Sequence, residues 1–436
     1  MRRSLGDTPA GVLGVTLVSF LASSLSLPAP LRGVAPARAA EVAPTREQLE
    51  SEVEVNLSLS PGLRPWLAAH GVSLGVTTYT VNKLLLVGPG GGPLGRDAGS
   101  IPGPPAVAEH RFTRAMALAG DGRGGLLVSD KTAVHRLRRS PAARGTFCVA
   151  ASHAVAGSES EGLDVHDVAS PEAAKGASPS AKKVPRPWTP AEDGSLAPTF
   201  GVATGLNAVI RLPGGDASPR FDVVWSPAWI SGKDAGTRGD RCHLNGLCLD
   251  PADGAPRYVT VVGEGASEVD GWRGLRRDGG CVVDVKSGKV VARGLSMPHS
   301  PRLDPADGRL WVLEAGSGWM GWVDLQRAPE EAFRRHVWLP GFLRGLAFLD
   351  DSGPKAADGK RWAVVGLSKP RHAVFGELPL GEELDRRKQD AVCGLVAVDL
   401  DAGKPVHLLR LEGELVQEVY DVAVVPGVTS PAFEGA

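Results

Sequence analysis

Short apolar segments separated by turns run through most of this chain, and they recur in groups of four. The clearest group lies between residues 240 and 295 and contains the segments GLCLD, RYVTVVGE, GCVVDV and VVARGL. The pattern then restarts with His299 and Ser300, the turn DPADGR and the segments LWVLEAG and MGWVDL. Four short strands per repeat are typical of a β-propeller.

The sequence therefore predicts an all-β fold, a single six-bladed β-propeller. The inner strands of the six blades are expected near Met116, Val165, Leu247, Leu303, Leu346 and Val422. The strands within Ser73–Val87 lack an inner strand of their own, and the C-terminal segment EVYDVAVVP has no strand after it. We expect these N- and C-terminal strands to pair and close the ring, because closure leaves few unpaired strand edges.

Two segments lie outside the repeat. Residues 1–50 form a leader in which Arg2 and Arg3 precede the apolar run Gly11–Leu27. This leader is either a signal peptide of an exported protein or a disordered start of a cytoplasmic one. The run is too short and too polar for a membrane span, so no stable membrane insertion of the mature domain is expected. Within the propeller domain at 51–430, residues 170–198 are rich in Ala, Ser, Pro and Lys and predict a disordered insertion.

Composition narrows the class of function. The net charge of −1 and the pI near 6.8 argue against a nucleic-acid partner. The five cysteines are widely spaced without a C-x-x-C pair, so they do not predict a disulfide framework. We interpret them mainly as small buried core residues.

The strand order of a blade predicts where polar residues meet. Residues just before the first strand and just after the second strand emerge on one face, which we call the channel mouth. A concave mouth with convergent polar groups is the default position for a site. We predict catalytic residues His243, His299 and Arg344. The predicted ligand-binding residues are Asp130, Lys131, His166, Ser300, Arg302, Ser317, Ser368, Lys369 and Tyr420, and the predicted metal ligands are Asn245, Glu264, Glu314 and Asp421.

These residue types leave the chemistry open. Mixed nitrogen and oxygen donors suit a divalent cation, which could be Ca²⁺, Mg²⁺, Mn²⁺ or Zn²⁺, and a cation would favour lactone or ester hydrolysis. Without a metal, Arg302, Arg344 and Lys369 suit a carboxylate or phosphate ligand. The alternative for any single polar residue is a purely structural role, in which it satisfies hydrogen bonds of a turn.

Several segments carry a resemblance to an uncharacterised bacterial family of conserved hypothetical proteins, over about residues 55–430. They are Thr78–Val87, Asp240–Leu247, Asp270–Val285, Gly294–Arg302, Gly321–Leu325, Leu343–Phe348, Val364–Arg371 and Tyr420–Gly427. The resemblance implies a domain of unknown function grouped with β-propellers, and no reaction. More distantly, H-x-N-G-L at residues 243–247 is similar to the inner strand of gluconolactonase-like six-bladed propellers. That similarity implies Asn245 and Asp421 as metal ligands.

Two hypotheses on function follow. The first is a propeller that binds a small polar ligand at the channel mouth, with metal-dependent hydrolase or lactonase activity as its enzymatic form. The alternative is a non-catalytic propeller that binds a protein or a peptide. The sequence does not decide between an enzyme and a binding protein.

Overall fold

Within the residues that the structure describes, six sheets account for nearly all regular structure, and their strands pair antiparallel except at one outer edge. The computed structural model describes residues 53–434 except 92–100, 102, 142, 144, 156–162, 177–197, 213–220, 231–236, 350–357 and 371–375. The sheets form the six blades of a β-propeller, as the repeat of four strands predicts. No helix within these residues is long and apolar enough to cross a membrane.

The strands are numbered in chain order. The outer three strands of blade 1 are β2 (Val72–Thr78), β3 (Lys83–Gly88) and β4 (Ala106–Arg111). Blade 2 contains β5 (Leu118–Gly120), β6 (Leu126–Ser129), β7 (Ala133–Arg139) and β8 (Thr146–Ala154). Blade 3 contains β9 (Val165–Ala169), β10 (Thr199–Ala203), β11 (Ala208–Leu212) and β12 (Asp222–Trp225).

The second half of the ring repeats this order. Blade 4 contains β13 (Leu244–Leu249), β14 (Pro256–Val261), β15 (Gly280–Asp284) and β16 (Lys289–Leu295). Blade 5 contains β17 (Pro298–Leu303), β18 (Leu310–Glu314), β19 (Trp319–Val323) and β20 (Phe333–Trp338). Blade 6 contains β21 (Phe342–Phe348), β22 (Trp362–Ser368), β23 (Gly394–Asp399) and β24 (Lys404–Glu412). The inner strands of all these blades lie where the sequence predicts them.

Strands from both ends of the chain close the ring. The C-terminal strand β25 (Asp421–Pro426) pairs antiparallel with β2 and becomes the inner strand of blade 1, with Val422 opposite Val76. Two shorter strands cover outer edges: β1 (Asn56–Leu59) extends blade 6 beside β24, and β26 (Ala432–Phe433) pairs in parallel with β8 of blade 2. The predicted closure is confirmed, and it pairs residues that are far apart in sequence, which restrains both termini.

The core lies between the blades. Each of six apolar clusters joins two neighbouring sheets, and one example packs Val76 and Leu85 of blade 1 against Val364 and Leu395 of blade 6. A sheet in this position is buried on both faces, so β3 and β13 are buried at every position. This explains why the strands read as nearly continuous apolar runs rather than as alternating ones. Each large side chain buried in this way contributes about 1.5–3 kcal/mol.

In the described part of the chain, helices are few and short. They are α1 (Leu63–His70), α2 (Pro171–Gly176) and α3 (Pro379–Arg387), with 3-10 turns at Thr204–Leu206 and Gly271–Leu275. Helix α1 ends at Gly71, which adopts φ 63°, a left-handed conformation that glycine reaches without strain. Trp66 of this helix packs edge-on against Trp362 of blade 6.

The prediction for residues 170–198 is wrong at its start. Ser170 is buried and its hydroxyl donates a hydrogen bond to the carbonyl oxygen of Asp121. The residues after it form α2, in which Glu172 makes an ion pair with Arg123 of the neighbouring blade. These local contacts order the segment although its composition is polar. The rest of the insertion and the predicted leader at 1–50 lie outside the described residues.

Candidate functional site

The backbone at the channel mouth adopts unusual conformations. Within the described residues, ten residues other than glycine have a positive φ. All of them belong to the loops after second strands or to the turns at the start of inner strands, and they are Asn82, Arg114, Asp164, Asn207, His243, Asp270, Met297, Ser300, Glu377 and Lys388. Such conformations cost free energy and cluster at functional sites. None of them lies at the opposite face.

Three histidines from neighbouring blades occupy the mouth in the same hydrogen-bonded state. His166 Nδ1 donates to the carbonyl oxygen of Asp164 at 2.9 Å, and His299 Nδ1 donates to that of Met297 at 2.9 Å. His243 Nδ1 donates to the Asp240 carboxylate at 2.6 Å. A bond at Nδ1 fixes the tautomer, so Nε2 of each neutral ring carries the lone pair.

Aromatic rings surround these histidines. His166 contacts the ring of His243 at a centroid distance of 5.0 Å and that of Tyr420 at 5.6 Å. The other face of Tyr420 contacts Tyr79 in a stacked arrangement at 5.7 Å. Trp272 stacks on His243 at 4.1 Å. The mouth therefore combines apolar ring surfaces with nitrogen acceptors.

The guanidinium group of Arg344 packs against two aromatic side chains of the mouth. The guanidinium carbon of Arg344 is 4.5 Å from the ring centre of Tyr420 and 5.8 Å from that of Phe342. Its Nη1 donates to the buried carboxylate of Glu418 at 3.1 Å. That bond engages one of the five N–H groups of the guanidinium. The cation–π contacts with the two rings fix the orientation of the guanidinium plane.

Burial sets the protonation of the mouth residues. Burial and the neighbouring His243 and Arg344 lower the pKa of His166 well below 6.5, so this imidazole is neutral. Burial raises the pKa of Tyr420 well above 10, against the opposing effect of Arg344, so its phenol keeps its proton. Burial also raises the pKa of Asp164, although Lys131 and Arg114 oppose it. The site thus presents a neutral acceptor beside a neutral donor.

Three buried hydrogen-bond donors near His243 have no partner among the described residues. They are the Tyr420 hydroxyl, the Trp272 indole N–H and Nδ2 of Asn245. Tyr420 is 5% exposed and Asn245 is 3% exposed. The side-chain oxygen of Asn245 is engaged, because it accepts a hydrogen bond from Thr260 at 2.7 Å. Buried donors without a partner are rare and point to a bound group that is an acceptor.

The four predicted metal ligands do not come together. Glu264 binds Arg293 at 2.9 Å and lines a depression of about 610 Å³ on blade 4, and Glu314 binds Arg335 at 3.0 Å. Both arginines belong to outer strands, so these carboxylates turn away from the channel. In the described part of the chain, no three His, Cys, Asp or Glu side chains are arranged to hold a metal ion.

The predicted ligand residue Arg302 and the predicted metal ligand Asp421 belong to a buried cluster further along the channel. Arg302 makes two hydrogen bonds to the Asp167 carboxylate, at 2.8 and 3.0 Å. Asp421 accepts hydrogen bonds from the backbone N–H groups of Leu118 and Val422. Burial and Asp167 raise the pKa of Asp421 to about 7, although Arg302 opposes this. These contacts join inner strands of several blades, so the cluster holds the ring together.

Most of the other predicted ligand residues make structural contacts. The Ser300 hydroxyl accepts from the Gly345 amide, the Ser317 hydroxyl donates to the Glu314 carbonyl oxygen, and the Ser368 hydroxyl bonds the backbone of Val419. Asp130 accepts two backbone N–H groups of its own turn and contacts His135. Lys131 is near Asp164, and Lys369 is exposed. Of the predicted site residues, His166, His243, His299, Arg344 and Tyr420 form the mouth.

The sequence did not single out several residues that complete the mouth. Asp240, Trp272, Phe342 and Glu418 are the main ones. Asp240 lies three residues before His243, a spacing that was visible in the sequence. Trp272 lies in a long loop of blade 4, and its stacking on His243 depends on the fold of that loop.

Comparison with known proteins gives a family and a set of similar folds. The family model described as domain of unknown function DUF4915 matches residues 197–433, a little more than half of the chain. No curated protein matches. Among solved structures, a protein of unknown function from Bacteroides caccae is 10% identical, covers 81% of this chain and 98% of its own, and has a TM-score of 0.40.

Two enzymes are among the other solved structures. A catalytically inactive virginiamycin B lyase from Staphylococcus aureus, in complex with quinupristin, is 10% identical, with 82% of this chain and 100% of its own covered and a TM-score of 0.35. A luciferin-regenerating enzyme is 12% identical, with 85% and 99% covered and a TM-score of 0.34. None of these comparisons assigns a reaction or a ligand to this chain.

Proposed function

This chain belongs to the family that carries the domain of unknown function DUF4915, and we propose that it binds a small organic acid bearing a hydroxyl group at the channel mouth. The observation that carries the proposal is the buried Tyr420 hydroxyl, which has no partner among the described residues and belongs to the ring that the Arg344 guanidinium contacts. Because its pKa is raised, this buried phenol keeps its proton and can donate a hydrogen bond to an acceptor on a ligand.

The charge pattern supports an acidic group on the ligand. Arg344 retains N–H groups beyond the one that bonds Glu418, and Arg114 and Lys131 add positive charge near Asp164. A guanidinium beside a neutral phenol suits a carboxylate, which accepts several hydrogen bonds at once.

The histidines support a hydroxyl group on the same ligand. Their Nε2 lone pairs accept hydrogen bonds, and the hydroxyl of an organic acid donates one. The rings of Trp272 and Phe342 add apolar surface for the carbon skeleton. A ligand with a carboxylate, a neighbouring hydroxyl and an apolar body matches all three features.

The test uses mandelate, which has these three features, in titration calorimetry against the full-length protein. Phenylacetate lacks the hydroxyl and 1-phenyl-1,2-ethanediol lacks the carboxylate, so both should bind more weakly. Tyr420→Phe removes the hydroxyl alone and should weaken mandelate binding by about tenfold with an unchanged melting temperature. Tyr258→Phe, the same change at a buried position of β14 outside the mouth, is the matched control.

Two outcomes would overturn the proposal. One is the absence of saturable mandelate binding at millimolar concentration, which would instead favour a propeller that binds a protein or a peptide. The other is equal binding of mandelate by Tyr420→Phe and the parent protein. The predicted divalent cation is a separate matter, and elemental analysis of the purified protein addresses it.

A further inference from the structure

His243 differs from the other two histidines of the mouth in the group that holds it. The Asp240 carboxylate accepts the Nδ1 proton at 2.6 Å and also accepts the backbone N–H of His243 at 2.8 Å. His166 and His299 are held by backbone carbonyl oxygens instead. Only a carboxylate places a full negative charge against the ring and stabilises the imidazolium that forms when Nε2 takes a proton.

The rest of the His243 environment restricts the ring without engaging Nε2. Trp272 stacks on one face at an interplanar angle of 26°, and His166 meets the ring edge to face. Asp240 occupies the Nδ1 side, and Nε2 has no hydrogen-bond partner among the described residues. The side chain keeps 11% of its surface accessible. The backbone of His243, directly before β13, is in the left-handed region at φ 51°, and this conformation sets the direction of the side chain.

We propose that His243 is a general base that acts through Nε2 on the bound molecule, and that Asp240 and Trp272 are positioning residues. This inference rests on the proposed function for the ligand but not on the ligand's identity. In the step, the Nε2 lone pair takes a proton from the ligand, and the electron pair of the broken bond stays on the ligand. Arg344 and Tyr420 stabilise the resulting charge on its oxygen, and the imidazolium returns the proton when the product forms.

Asp240 sets the tautomer of His243, which a merely structural residue would not do. With Asp240→Asn, the amide oxygen is expected to keep the bond to the backbone N–H of His243, and the amide NH₂ then faces Nδ1. An NH₂ group donates where the carboxylate accepts, so the ring must switch to the tautomer with its proton on Nε2. The shape of the site is retained, and the basic nitrogen is lost from the mouth.

The experiment measures the tautomer and the reactivity of His243 in the full chain. Nitrogen-15 NMR, with His243→Gln used for assignment, should find the Nδ1–H tautomer in the parent protein and the Nε2–H tautomer in Asp240→Asn. Carbethoxylation by diethyl pyrocarbonate, located by peptide mass spectrometry, should slow by about tenfold or more at His243 in the same variant. Asp270→Asn, the same change in the adjacent loop, should alter neither.

The outcomes separate this inference from the proposed function. An Nε2–H tautomer or an imidazolium in the parent protein at neutral pH overturns the inference even if mandelate binds. An unchanged tautomer in Asp240→Asn overturns the role of Asp240. The expected tautomers together with absent mandelate binding would overturn the proposed ligand and leave the base in place. Weaker mandelate binding by Asp240→Asn, with the tautomer switched, supports both, because the ligand's hydroxyl then loses its acceptor on His243.

Discussion

Replacement of Asp421 by Asn should remove a pH dependence of stability that this carboxyl imposes on the propeller. Asp421 lies on the closing strand β25, and its two oxygens accept the backbone N–H groups of Leu118 and Val422 at 2.9 and 2.8 Å. Asn has nearly the same shape and is neutral at every pH. The variant therefore keeps the packing and loses the titration, at the cost of about 1 kcal/mol for a hydrogen bond to the N–H that its amide nitrogen faces.

The size of the effect follows from the pKa of Asp421. Burial and Asp167 raise this pKa from 3.8 to about 7, against the opposing Arg302. A raised pKa means that the folded protein holds the proton more tightly than the unfolded chain. The resulting stabilisation is complete below about pH 4 and is lost as the pH rises through about 7. Between about pH 8 and about pH 5, this one group should add about 2.5 kcal/mol to the free energy of unfolding.

The assay is urea unfolding followed by tryptophan fluorescence, from about pH 5 to about pH 8. His166 contributes the opposite trend, because burial lowers its pKa in the folded protein. The unfolded chain therefore takes up a proton at this residue more readily, and acid lowers the free energy of unfolding. The informative quantity is therefore the difference between the parent protein and Asp421→Asn at each pH. Asp385→Asn is the control, because Asp385 is exposed on α3.

The expected result is that the free energy of unfolding of the parent protein minus that of the variant grows by about 2.5 kcal/mol as the pH falls from about 8 to about 5. A difference that stays constant over this range would mean that Asp421 is ionised in the native protein at neutral pH. The attraction of Arg302 would then outweigh burial, and the reasoning about this cluster would be refuted. The same slope change in Asp385→Asn would also refute it.

Three further predictions concern the rest of the chain. Arg302→Met should lower the free energy of unfolding by about 3–5 kcal/mol in urea, because it leaves the Asp167 carboxylate buried without its cation, and a second change, Asp167→Asn, should recover part of the loss. Burial raises the thiol pKa of Cys248 and of Cys393 to about 12, so Ellman's reagent should not modify these two thiols before the protein unfolds. The less buried Cys148 should react first. Reaction of Cys248 or Cys393 as early as that of Cys148 would contradict this. Treatment with EDTA should leave the melting temperature unchanged, because the predicted metal ligands are held by arginines and backbone groups; a clear drop that Ca²⁺ or Zn²⁺ reverses would contradict this.

The fold was predictable because its signal is local and repeated. The strands GLCLD and RYVTVVGE are recognisable from their length and apolar composition alone, and the turn PADGAP between them is recognisable from its Pro, Asp and Gly residues. Closure was also predictable, because a segment with no strand after it needs a partner, and β25 finds one in β2. The exception is the start of the predicted insertion, where Ser170 and Glu172 make contacts with residues near Asp121 that no local pattern reveals.

The sequence by itself determined that residues at the starts of inner strands reach the mouth, because the repeat sets the position of those starts. His166, His243 and Tyr420 are there for that reason. Only the tertiary structure decided what each polar group does once there. Arg302, Glu264 and Asp421 have the same chemistry as the groups that remain accessible, but neighbouring blades supply their partners. Hydrogen-bond and ion-pair partners on neighbouring blades are set by packing between segments that are distant in sequence. For that reason the sequence predicted the face of the propeller but not which of its polar residues form the site.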